Sequence, residues 1–249
     1  GSGGGNPENP DPCSDPSSPW YTHHSCGNNT GSGTSNNSPC QKTQALLSKP
    51  QVQSAITNLK SNAVNGTGEK GVMFKADGTP SAMIQGGDHS VNFGDKSGYQ
   101  GGYHNHTPTG IPMLSPGDFD QLLSFALGQG NLNVSNAYLG MVAPNGMHYV
   151  IRFAGNYSDA TMNFDQAQIN NCAEFFKDRN DFYSNDSQYS NDYINLNSDG
   201  LEKIFFETIK EMGLTNKITL IRIEDNNNNT VAKIITQNND GSITATPCP

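Results

Sequence analysis

Positive charge is scarce in this chain. Only 14 of its 249 residues are Lys or Arg, against 23 Asp or Glu, for a formal net charge of −9. A chain this poor in cations cannot neutralise a run of phosphates, so no nucleic-acid partner is expected. It is equally ill suited to anionic membrane surfaces. No stretch approaches the roughly 18 consecutive apolar residues of a membrane-spanning helix, so no membrane insertion is expected. There is no signal-peptide pattern and no initiator Met, and the chain reads as the C-terminal part of a larger protein. Sequence patterns for a nucleophilic serine elbow, a phosphate-binding loop and a CxxC metal knuckle are all missing. Hydrophobic residues make up only 33%, against a usual ~45–50% with Gly counted. Part of the chain therefore lies outside any core.

Residues 1–39 account for much of that deficit. They are nearly all Gly, Pro, Ser, Asn, Asp and Thr, with Trp20 and Tyr21 the only large apolar side chains. Such a segment buries too little surface to offset its ordering entropy, and it reads as a disordered Gly/Pro/Asn-rich linker or tail. His23 and His24 fall within it. Cysteines stand at 13, 26, 40, 172 and 248. Cys172 lies in a helical pattern and is expected to be a buried free thiol. The others suit an exported protein, extracellular or on a cell surface. Cys40 opens the globular region and Cys248 closes it, so these two are expected to pair. Cys13 and Cys26 would then pair within the tail.

From residue 40 to 249 the pattern is that of one mixed α/β domain. Leu46, Leu47, Val52, Ala55, Ile56 and Leu59 are spaced as one or two amphipathic helices broken at Pro50. EKGVMFK and PSAMIQG read as strands around the turn 76–79, and GGYHNH as another. A helix follows over SPGDFDQLLSFALGQG. SNAYLGMVAP and GMHYVIRFAG form a hairpin about Pro144-Asn145-Gly146. Residues 158–184 read as helix and 185–197 as loop. GLEKIFFETIKEMG is an amphipathic helix stopped by Gly213. NKITLIRIED and TVAKIITQ flank a turn at 226–229, and GSITATP reads as a last strand. Asn195-x-Asn197-x-Asp199-Gly200 has the look of a calcium loop. Its twelfth position is Phe206 where a Glu is needed, so it reads as a turn and helix cap.

The chemistry concentrates in residues 102–118. His104 and His106 alternate, which at strand spacing places both on one face. Asp118 follows twelve residues after His106, in the first turn of a helix. Two imidazoles and one carboxylate are the ligand count of a catalytic zinc with an open position. At that helix start, backbone N–H groups can hold the second carboxylate oxygen. Each part has a plainer reading. Ser115, Pro116 and Asp118 together make an ordinary helix start, and two alternating His are often a surface pair. The joint pattern rarely arises by chance. His89 reads as a solvated loop residue, and His148 as an outward-facing strand residue.

HNHTPTGIPMLSPGD resembles the HxHP…SxxD motif of JAMM (MPN-type) metallopeptidases, which include isopeptidases. More closely, the region from about Cys40 to Pro249 resembles a group of exported Bacteroidota proteins carrying GGYHNHT, NAYLGM, HYVIR and a terminal TPCP. The JAMM resemblance implies a deaminase-like fold with a single mixed sheet flanked by helices. It implies zinc on His104, His106 and Asp118, oxyanion stabilisation by Ser115, and an upstream Glu as general base and acid. Glu69, at the start of the first strand, is the candidate; its plainer reading is a solvent-facing strand residue. One departure is Thr107, which intervenes between His106 and Pro108 where the motif has Pro directly. The implied activity is hydrolysis of a peptide or isopeptide bond in a peptide or protein substrate. The alternative is a non-catalytic JAMM-fold binding or cargo module at the end of a larger secreted protein. A toxin-like effector domain is a third.

Overall fold

The computed structural model describes residues 38–226 and 229–249. The expected tail, its two histidines and the Cys13–Cys26 pairing lie outside those residues. The helices are α1 (Pro39–Leu47), α2 (Pro50–Asn65), α3 (Pro116–Gly128), α4 (Tyr157–Ala160), α5 (Gln166–Ser184) and α6 (Ser198–Glu211). The strands are β1 (Lys70–Phe74), β2 (Ile84–Gln85), β3 (Gly101–Asn105), β4 (Tyr138–Val142), β5 (His148–Phe153), β6 (Ile218–Asn226), β7 (Asn229–Gln237) and β8 (Ile243–Pro247).

All eight strands form one sheet in the order β2-β1-β3-β4-β5-β6-β7-β8. Among the described strands, β3 and β4 are the one parallel pair. A parallel pair needs a crossover, and α3 supplies it. That crossover carries the chain from His104 and His106 at the end of β3 straight into the helix bearing Asp118.

Both sheet faces are covered, so the central strands are buried along their whole length. Successive residues alternate between the two layers. Val72, Phe74, Tyr103, Tyr138, Val142, Val150 and Ile221 pack under α1 and α2. Met73, Leu139, Met141, Tyr149, Ile151 and Leu220 pack under α3, α5 and α6. On the α2 side, the Tyr103 ring lies over β4, opposite Gly140, where any Cβ would strike it. Gly213, with φ +69°, stops α6: Leu214 N–H reaches Ile209 O and Gly213 N–H reaches Lys210 O, the Schellman pattern.

The Cys40–Cys248 disulfide is present and ties α1 to the end of the chain, just past β8. Cys172 is a free thiol but half-buried, not buried as expected, because α5 packs on the body through few residues, Phe176 and Tyr183 among them. Several other expectations are corrected. The second strand shrinks to Ile84–Gln85, since Pro80 has no N–H for the ladder and makes only an isolated bridge to Phe74. The helix expected over 158–184 is two: Asp165 caps α5 through Gln168 N, which sets its start beyond the loop after α4. Asn197 caps α6 through Gly200 N, as the turn-and-cap reading required.

Candidate metal centre

His104 and His106 point to the α3 side of the sheet, and their Nε2 atoms lie 3.0 Å apart. His104 Nε2 is 3.4 Å from Asp118 Oδ1. One donor atom from each residue falls within 4.8 Å of the others, and all three residues are buried. His104 lies on β3, third in the order of the eight described strands, His106 directly follows that strand, and Asp118 is in the first turn of α3.

Two of the three candidate ligands are oriented by hydrogen bonds. His106 Nδ1 donates to Ile111 O at 2.7 Å, which leaves Nε2 as the lone-pair atom. Burial, and then the neighbouring His104, push this imidazole down to about 4, so it is neutral near pH 7. Asp118 Oδ2 accepts from Ser115 N–H at 2.7 Å and from the Ser115 hydroxyl at 2.8 Å. That leaves Oδ1 turned to the histidines. The hydroxyl of Ser115 therefore serves the carboxylate. His104 Nδ1 is buried without a hydrogen-bond partner, and its ring is held by edge-on packing against Phe93. A metal-free arrangement exists in which His104 Nε2–H donates to His106 Nε2. A cation replacing that proton meets two imidazole nitrogens and one carboxylate oxygen, a donor set suited to zinc.

Glu69 directly precedes β1 and is buried, contrary to its solvent-facing reading. Its backbone is clamped to the segment after β2, donating to Gly87 O and accepting from Gly86 N. Burial, and then the Asp118 charge, raise its carboxyl to about 9. It lines one cavity of about 570 Å³ together with His104, His106, Ser115 and Asp118. Phe176, Lys177 and Asn180 of α5 form part of the same cavity wall.

His89 is exposed and contacts Thr107 and Thr109 through its ring nitrogens. It borders the cavity but is not one of the three converging ligands. His148 does not face outward. It is buried under the α2 layer, with Nε2 3.3 Å from the Tyr103 hydroxyl. Strand alternation alone predicted the opposite because it took this sheet to be wet on one side. Two contributors went unnoticed in the sequence. Asn105, between the two histidines, faces the other layer and accepts from Lys70 N and Asn62 Nδ2. It pins the end of β3 to β1 and α2. The α5 wall is the other; no pattern in the sequence connects α5 to residues 104–118.

No family model, curated protein or solved structure matches the chain.

Proposed function

We propose that this chain is an exported, zinc-dependent hydrolase of JAMM type that cleaves a peptide or isopeptide bond. What carries the reading is the convergence of His104 Nε2, His106 Nε2 and Asp118 Oδ1 in a cavity that also holds the buried carboxyl of Glu69. The Cys40–Cys248 bond supports an oxidising compartment.

His104, His106 and Asp118 would hold the zinc, which supplies Lewis acidity towards water and the scissile carbonyl. Glu69 is the general base: it accepts the proton of the attacking water and passes it to the departing amine. A cation at the triad opposes the influences that raise the Glu69 pKa and favours the ionised form that this role needs. Ser115 orients Asp118 and reaches an oxyanion only by rotating its hydroxyl away from Oδ2. The apolar side chains of Val91, Ile111, Met113 and Phe176 border the site and limit its water.

The test is zinc content by mass spectrometry on protein purified without a His tag, together with turnover of a synthetic peptide and isopeptide library. One zinc per chain is expected. Glu69→Gln should keep that zinc and lose hydrolysis by about 10²–10⁴-fold. A protein that binds zinc but cleaves nothing in the library would turn the reading to a non-catalytic binding module.

A further inference from the structure

The face of the sheet away from the metal ligands carries charged groups that the proposed reaction does not use. The chain has three arginines. Arg179 pairs with Glu207, and Arg222 with Glu202 and Glu224. Arg152 on β5 is the most deeply buried of them, at 3% exposed. Yet it makes no ion pair among the described residues. An unpaired charge held out of water is costly, so its surroundings need an account.

A purely structural role covers part of the guanidinium. Arg152 Nε donates to Thr43 Oγ1 of α1 at 2.7 Å. Its Cζ stands 5.3 Å from the centre of the Tyr138 ring. A cation–π contact and one neutral hydrogen bond offset only some of the desolvation of a full charge. Arg152 borders a cleft of about 150 Å³ beside α1, and Lys42 and Lys49 line the same cleft. Gln100, Asn136 and Tyr138 complete its polar lining, and no carboxylate side chain among the described residues contributes to it. The Tyr138 hydroxyl is itself buried without a partner. Lys42 Nζ spends two contacts on Ser135, and Lys49 Nζ one on Ala76 O, so both ammonium groups keep donors in reserve. Burial, and then the Arg152 charge, lower the Lys42 pKa. In a chain of net charge −9, three cations share one cleft with no acid among the described residues to balance them.

We infer that this cleft is an oxyanion site that takes one tetrahedral anion of the size and charge of phosphate or sulfate, held by Arg152, Lys42 and Lys49. The anion neutralises the buried guanidinium and occupies donors that the protein leaves unmade. It lies on the opposite layer from His104 and His106, and it stands whether or not the zinc reading holds.

The experiment is calorimetric titration of the full chain with inorganic phosphate at pH 8, against chloride of equal ionic strength, with thermal unfolding in parallel. It uses the Asp118→Asn variant alongside the wild type, so that phosphate on a metal at the other site is separated from phosphate in the cleft. One saturable phosphate per chain is expected in both proteins, with a raised unfolding temperature. Sulfate should compete. Lys42→Ala and Lys49→Ala should each weaken binding about tenfold or more, the equivalent of one charge-assisted hydrogen bond. Arg152→Gln should abolish it. If Arg152→Gln does not fold, the two lysine variants decide, since both residues are only half-buried. Lys210→Ala, on exposed α6 surface, should bind as the wild type does. No saturable effect beyond matched chloride overturns the inference, as does binding that Lys42→Ala and Lys49→Ala leave unchanged, or binding that disappears in Asp118→Asn.

Discussion

Ser115→Ala separates two roles that a helix-capping serine beside a metal could have. The Ser115 hydroxyl donates to Asp118 Oδ2 at 2.8 Å, and the Ser115 backbone N–H donates to the same oxygen at 2.7 Å. The substitution deletes the first bond and keeps the second. A hydrogen bond to a charged acceptor contributes about 1.5–3 kcal/mol. Loss of a hydrogen-bond partner behind a metal ligand commonly costs about 10–100-fold in affinity, the same range expressed as an equilibrium constant. Zinc affinity, measured by competition with a chromophoric chelator, should therefore fall about 10–100-fold. Asp118→Ala, which removes the ligand itself, should fall further. If Ser115 acted chiefly as an oxyanion donor, Ser115→Ala would bind zinc as the wild type does and lose about 10²–10³-fold in kcat. Zinc affinity within twofold of wild type would refute the argument from Asp118.

His104→Ala combined with His106→Ala should abolish zinc binding. It should also lower the metal-free unfolding free energy by about 1–3 kcal/mol in urea, because both rings are buried in the sheet interior. Reducing the Cys40–Cys248 bond, which closes a span of 208 residues, should cost up to about 5 kcal/mol on the chain-entropy model. Denaturation with and without reductant measures it, and an unchanged midpoint would contradict it. Burial raises the Glu202 carboxyl to about 7 despite its ion pair with Arg222 and the hydrogen bond from Tyr149. A carboxyl raised in the folded state contributes stability that is fully present below its unfolded pKa, near 4.5, and is lost as pH rises through about 7. Glu202→Gln should therefore flatten the stability profile between pH 5 and 8, as read by thermal unfolding across that range.

The elements were most legible where local signals agreed. Pro50 both broke the first helical pattern and opened α2, and Gly213 stopped α6 at a positive φ that glycine adopts without strain. The hairpin at 144–146 follows from Gly146, also at positive φ. Burial was harder to see. Strand alternation assigned His148 to solvent, but α1 and α2 cover the layer it faces, and covering is a tertiary fact. The place of His104 and His106 within the sheet was equally hidden. Sequence order makes β3 the third strand but cannot say that β4 to β8 all add on its far side.

The candidate ligands were legible because their geometry is local. Period two sets both histidines on one face, and a helix opening shortly afterwards returns a carboxylate to the same side. Glu69 was reachable only through the family resemblance, since nothing in residues 68–74 alone distinguishes a buried base from a wet strand end. Thr107, the departure from the resemblance, stands between His106 and Pro108. Its hydroxyl donates to Asp88 O at 3.0 Å, and its carbonyl accepts from Gly110 N in a tight turn. Thr107 is thus part of a tethered loop that continues to the cavity rim at Thr109 and Gly110. The chain then reaches Ile111, whose carbonyl fixes His106, and Ser115, whose N–H and hydroxyl fix Asp118. The anchors that orient the candidate ligands lie after this loop and up to the start of α3, so a residue more or fewer within the loop leaves their bonds intact.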